Sequence, residues 1–264
     1  MDLQLAGKRA LITAGSKGLG RAVAEQLVLE GCHIVICSRN HEHINEAVGF
    51  LADRAGDSDA VMGMVADVTK QSDIERLVRA AQAKLGGIDL LVTNTGGPPA
   101  GNFDAVTDEM WQEAFELNLL SVVRLIRLVL PTMKSQHFGR ILNVSSTSVK
   151  QPIDHLILSN TIRTGLMAML KSLALEVAGD GILVHNLAPG RISTDRVRTL
   201  DVARAQREGR SITDVELKEQ ASIPLGRYGT PEEFGTFAAM LLSPLTSYMT
   251  GQTYLVDGGV IRSL

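Results

Sequence analysis

Seven short runs rich in Val, Ile and Leu recur along the chain, and helical patterns separate them. The runs are RALITA (9–14), HIVICS (33–38), VMGMVA (61–66), IDLLVTN (88–94), RILNVSS (140–146), ILVHNLA (182–188) and TYLVDGG (253–259). They show little polar alternation, which is expected of strands covered by helices on both faces. The intervening stretches read as helices to Glu30, over 41–54, from a Ser72/Glu75 capping box, over about 107–134 and over about 156–178. A last helix is announced by Thr230-Pro231-Glu232-Glu233, an N-cap followed by a proline and a reaching glutamate. Strand–helix repetition with right-handed crossovers predicts an α/β fold: a doubly wound parallel sheet in one domain spanning 1–264. Residues 190–229 break the alternation and read as a lid over whatever the sheet binds.

Bulk properties narrow the function classes. A net charge of −3 gives no general attraction to nucleic acid or to a membrane surface. No apolar run approaches the length of a membrane span, and the N-terminus lacks the pattern of a signal peptide, so the cytoplasm is the expected location. Cys32 and Cys37 lie an odd number of residues apart along one strand, which places them on opposite faces as unpaired buried thiols.

Glycines at 15, 18 and 20 stand between the first strand and its helix. Such a turn lets the backbone approach a pyrophosphate, which then meets helix N–H groups and the positive end of the helix dipole. The second strand ends in Ser38-Arg39-Asn40, where a carboxylate would accept from a ribose 2′-OH. Arg39, with Lys17 in the glycine turn, instead suits a 2′-phosphate, so NADP(H) is favoured over NAD(H).

Several stretches together resemble the short-chain dehydrogenase/reductase family, in particular its 3-oxoacyl-(acyl-carrier-protein) reductase-like branch. They are TAGSKGLG (13–20), ADV (66–68), TNTG (93–96), ELNLLS around Asn118, NVSS (143–146), APGRISTD (188–195), IPLGRYGTPEE (223–233) and TGQTYLVDGG (250–259). The resemblance implies a Rossmann-type sheet of seven parallel strands. It also implies a nicotinamide cofactor and hydride transfer between that cofactor and a carbonyl or alcohol substrate, such as an acyl-linked one. Residue by residue, it places Thr13, Gly15, Ser16, Lys17, Gly18 and Leu19 around the phosphates and Asp67 and Val68 beside the adenine. Asn94, Thr95 and Gly96 fall behind the adenosine side, and Pro189, Gly190, Ile192 and Thr194 at the nicotinamide end. A homo-oligomer is implied too, a tetramer or a dimer. No metal site is expected.

The chain departs from the family where chemistry is decided. Asn118 and Ser146 match two members of the Asn-Ser-Tyr-Lys set, but Ser159 stands at the tyrosine position and Arg163 at the lysine position. An aliphatic hydroxyl is a far weaker acid than a phenol, and a guanidinium does not relay protons, although its fork can hold two ribose hydroxyls. His155, four residues before Ser159, is a candidate substitute acid. His185 and Tyr228, Tyr248 and Tyr254 read as structural; the lid arginines Arg191, Arg196, Arg198, Arg204, Arg207 and Arg210 read as solvated helix faces in preference to contacts for an anionic substrate such as a phosphopantetheine-linked acyl group. Two functions follow. One is an NADP(H)-preferring oxidoreductase using Asn118, Ser146, Ser159 and Arg163. The other is a dinucleotide-binding protein with little turnover, acting as a redox sensor or subunit partner. The first glycine is also displaced: Ala14 occupies its place and Gly15 follows.

Overall fold

A computed structural model describes residues 1–263. The seven apolar runs form β1 (Arg9–Ile12), β2 (His33–Ser38), β3 (Val61–Val65), β4 (Leu90–Thr93), β5 (Gly139–Val144), β6 (Ile182–Pro189) and β7 (Gln252–Val256). All pair in parallel, in the order β3-β2-β1-β4-β5-β6-β7, with Leu11 beside Val35 on one side and Leu91 on the other. The direction of winding reverses between β1 and β4, so the loops beyond their C-terminal ends diverge and leave a crevice.

Nine α-helices are found among the described residues: α1 (Gly18–Leu29), α2 (His41–Ala55), α3 (Gln71–Leu85), α4 (Asp108–Phe115), α5 (Ser121–Ser135), α6 (Ile157–Val177), α7 (Asp195–Glu208), α8 (Ile212–Ser222) and α9 (Pro231–Leu242). Two apolar cores result, one on each sheet face. Ile34, Ile36, Leu27, Leu51 and Phe234 fill the core under α1, α2 and α9. Leu11, Val35, Leu77, Leu125 and Leu170 fill the other, under α3, α5 and α6. Cys32 belongs to the first and Cys37 to the second, both as free thiols, as their spacing required.

The capping box at Thr230 forms as expected, with Glu233 answering its backbone N–H. The one expected at Ser72 does not. There α3 begins at Gln71 behind Lys70, which has no side-chain cap. The reason is a competing turn upstream: Asp67 accepts from the backbone N–H and hydroxyl of Thr69, and Asp73 accepts from the Asp67 N–H. That bonding starts the helix earlier and leaves Ser72 inside its first turn.

The helix expected over 107–134 is interrupted. A π turn, Glu116–Leu120, joins α4 to α5. Residues 190–229 carry α7 and α8, so the break in alternation is a helical insertion beyond β6.

Candidate active site

A cleft of about 660 Å³ opens at the crevice beyond β1 and β4. Nineteen of the sequence-predicted residues line it: Ser16, Lys17, Gly18, Leu19, Ser38, Arg39, Asn40, Asp67, Val68, Asn94, Thr95, Gly96, Ser146, Ser159, Arg163, Pro189, Gly190, Ile192 and Thr194. Thr13, Gly15, Asn118 and His155 are not in its wall.

Thr13 lies behind the cleft at the ends of two strands. The Thr13 hydroxyl donates to the Asn94 carbonyl at 2.8 Å and accepts from the Asn94 N–H at 2.9 Å, tying the ends of β1 and β4 together. Asn94 Nδ2 donates to the Ala14 carbonyl at 3.2 Å. Ala14 itself has φ +46°, a left-handed conformation that a Cβ penalises. Gly20 packs directly on this corner: a Cβ there would lie 2.3 Å from the Ala14 carbonyl oxygen and 2.6 Å from Asn94 Nδ2. Lys17, the N-cap of α1, provides no side-chain cap. The N–H groups of the first turn of α1 therefore lack an intrahelical partner and a cap, and Gly18 and Leu19 of that turn are in the cleft wall. Uncapped helix donors over a cleft fit a pyrophosphate.

At the end of β2, Asn40 caps α2 by accepting from the His43 N–H at 2.9 Å. Lys17 Nζ lies 2.9 Å from His43 Nε2, and both side chains line the cleft with Arg39. His43 escaped sequence reasoning. Its only signal is its place one turn into the helix that follows the ribose-reading residues.

The reaction end is built from hydroxyls and cations. Ser159 and Arg163 are 6% and 7% exposed and share one face of α6. Ser159 Oγ lies 3.2 Å from Ser148 Oγ, and the Ser148 N–H donates to Ser146 Oγ at 3.1 Å. Ser148 was not anticipated; it belongs to the short turn after β5 that Ser146 caps. Ser145 Oγ is buried beside them with no hydrogen-bond partner. Arg163 donates through Nη1 to the Val144 carbonyl at 3.1 Å. Burial, with the charge of Arg196 adding to it, brings the Arg163 guanidinium down to about 10, so it remains cationic at neutral pH.

Asn118 sits in the π turn and faces inward. Its Nδ2 donates to Thr95 Oγ1 and to the Gly96 carbonyl, each at 2.7 Å, while its buried Oδ1 has no partner. His155 is half-buried at φ +61°, and its carbonyl accepts from the Gly101 N–H at 2.6 Å. Leu156 next to it reaches the cleft wall.

The lid arginines are not uniformly solvated. Arg191 pairs with Asp201, which is 0% exposed, and with Glu219 at 2.9 Å. Arg204 pairs with Glu219 and with Glu208, at 2.6 Å for the latter. Tyr228 donates to Asp201 at 3.0 Å. This network ties α7 to α8, because one buried carboxylate needs several donors. Arg196 takes no part in it and lines the cleft. His185 is buried against the Tyr254 ring, and burial pulls its pKa down to about 4.

Among the described residues no group of His, Cys, Asp and Glu has the geometry to hold a metal ion, and no helix is long and apolar enough to cross a membrane.

Comparison with known proteins agrees with the geometry. The family profile described as enoyl-(acyl carrier protein) reductase matches residues 13–261. Dehydrogenase/reductase SDR family member 4 of Sus scrofa is 35% identical over 261 residues, covering 98% of this chain and 89% of that protein. The 3-oxoacyl-[acyl-carrier-protein] reductase FabG of Vibrio cholerae is 33% identical over 258 residues, covering 98% of this chain and 99% of its own. The crystal structure of L-sorbose reductase from Gluconobacter frateurii, complexed with NADPH and L-sorbose, superposes with a TM-score of 0.94 at 31% identity over the full length of both chains. The chain belongs to the short-chain dehydrogenase/reductase family. It is an oxidoreductase of that family, with the fold of its reductases.

Proposed function

We propose that this chain is an NADP(H)-preferring oxidoreductase acting on a carbonyl/alcohol pair, with Asn118, Ser146, Ser159 and Arg163 in place of the usual catalytic set. The observation that carries the reading is the juxtaposition of buried Ser159 and Arg163 with an uncapped helix N-terminus in one cleft. The N–H groups of α1 suit the pyrophosphate, and Lys17 and Arg39 suit a 2′-phosphate. When bound there, a nicotinamide supplies a hydride to a carbonyl carbon or takes one from an alcohol.

The chain's own residues do the rest. Ser146 and Ser159 donate to the substrate oxygen, and Ser148 holds the Ser159 hydroxyl in place. Fixed donors aimed at a developing oxyanion lower the barrier without an acidic proton. Arg163 holds ribose hydroxyls and offsets negative charge, staying protonated throughout. The partnerless Asn118 Oδ1 orients a water. His155, beside the cleft, delivers a proton through such water and the serine hydroxyls. The reading extends to a cytoplasmic homo-oligomer that packs through α6, where Gly165 and Ala168 are exposed small residues and Leu175 is 70% exposed.

Titration with NADPH and NADH, followed by turnover on carbonyl and alcohol panels, tests the reading. NADPH should bind at least about tenfold more tightly, since one charge-assisted contact to the extra phosphate contributes ~1.5–3 kcal/mol. Ser159→Ala should lower kcat roughly 100-fold with cofactor affinity unchanged. Tight cofactor binding without turnover on any substrate would instead make the chain a dinucleotide-responsive binding protein. Undiminished turnover in Ser159→Ala would remove Ser159 from the mechanism.

A further inference from the structure

The cleft contains a cation that the proposed hydride transfer does not use, Arg196. Arg163 and Arg196 both line the cleft, from α6 and α7. Among the described residues neither has a carboxylate within 4 Å, whereas Arg191 and Arg204 in the same insertion are each paired with two. Arg196 is held in its place by neutral contacts: Nη2 donates to the Pro98 carbonyl at 3.0 Å, and the guanidinium lies over Gly97, where a Cβ would come 3.0 Å from Nη2. Gly97-Pro98 thus forms a seat for a cation with no counter-ion. Arg163 is likewise held by a backbone carbonyl alone, that of Val144.

Like charges repel, and the charge of Arg196 adds to burial in lowering the Arg163 pKa. Leu117, Leu156 and Leu200 make the adjoining wall apolar, which strengthens electrostatic interactions within the site. Ser145 adds an independent sign. It is 6% exposed, lines the same cleft, and its hydroxyl has no partner. A buried hydroxyl without a partner is destabilising unless a ligand or water completes it.

We propose that the substrate is an oxo acid or hydroxy acid whose carboxylate is received by Arg196, the residue that selects acids over neutral carbonyl compounds. Planar guanidinium forks match a carboxylate bidentately, and the apolar wall accepts a compact carbon skeleton. The inference rests on the oxidoreductase reading above and names the substrate class of that site.

The test pairs binding with turnover. Oxalate, oxamide and inorganic phosphate are titrated calorimetrically into the NADPH-loaded protein and into the protein alone. Oxalate should bind and oxamide should not. Arg196→Gln should weaken oxalate at least about tenfold, leave NADPH affinity within about twofold, and Arg196→Lys should recover part of the loss. In turnover, 2-oxo acids should exceed their methyl esters by roughly 50-fold in kcat/KM, a ratio that collapses in Arg196→Gln. Oxalate affinity unchanged in Arg196→Gln, oxamide binding as well as oxalate, or phosphate binding more tightly than either overturns the inference. Esters reduced as fast as acids overturn it while leaving the oxidoreductase reading intact. Oxalate binding that depends on Arg196, without turnover of any carbonyl compound, supports the anion site and overturns the oxidoreductase reading instead.

Discussion

The two ends of the cleft are built from different materials. At the end proposed for the cofactor phosphates the frame itself is the device: uncapped N–H groups of α1, a corner locked by Thr13 and Asn94, and Gly20 fitted against Ala14, with only Lys17 and Arg39 reaching in as charged side chains. At the reaction end the working groups are side chains: Ser146, Ser148, Ser159, Arg163 and Arg196, projected from elements whose own backbone bonding is regular. A backbone device tolerates little change, because altering it moves the chain. A side-chain device can be exchanged residue for residue while the frame stays, and under the function proposed above Ser159 and Arg163 are such exchanges.

The strongest attempt to break this contrast is Gly20→Ala. A methyl group 2.3 Å from the Ala14 carbonyl oxygen must displace the whole turn. The expected result is a stability loss of ~2–3 kcal/mol in chemical denaturation and NADPH affinity weakened roughly 100-fold, both from one carbon atom. A variant as stable and as tightly binding as the parent would show that the turn yields easily.

The pH dependence of kcat/KM separates the two ends more gently. Arg163 carries its charge below about 10 and loses it above. The profile should decline as pH rises from 9 toward 10, because deprotonation removes the charge that offsets the substrate oxygen. A lowered kcat with unchanged cofactor affinity in His155→Gln would assign proton delivery to His155. An unchanged kcat in that variant would remove it.

The smallest effect is expected at Ala14→Gly. Relief of the left-handed backbone contributes ~1–2 kcal/mol, offset by ~0.5–1 kcal/mol of added chain entropy in the unfolded state. A gain of about 1 kcal/mol or less in denaturation, with cofactor affinity unchanged within twofold, would show that Ala14 strains the turn without shaping the site.

The same division explains what could be read from the sequence. The strands, their parallel arrangement and the break at 190–229 follow from apolar runs and their spacing, and 19 cleft residues follow from the motifs and spacings quoted from the sequence. The Ser72 cap does not form because Asp67, Thr69 and Asp73 bond among themselves and start α3 two residues earlier. Ser148 and His43 were not anticipated, and Arg196 was grouped with the solvated arginines, because the direction of a side chain across a loop is encoded by no local pattern. The lid arginines illustrate the limit well. In sequence Arg191, Arg196 and Arg204 look alike, interleaved with acids; in space two are neutralised by Asp201 and Glu219 and the third faces the cleft.

The π turn between α4 and α5 has a consequence for phase. One additional residue in a helical rod turns everything beyond it by about 100° relative to what precedes. Before the turn, Ala114 of α4 faces Leu158 and Ile162 of α6; beyond it, Val122, Leu125, Ile126 and Val129 of α5 face the central sheet core. One nearly continuous rod therefore addresses two different partners, and Asn118 at the step reaches the 95–96 loop that edges the cleft. Removing a single residue from Glu116–Leu120 would leave the rod's length almost unaltered. It would put the two halves back in register, so that α4 or α5, but not both, could meet its neighbour.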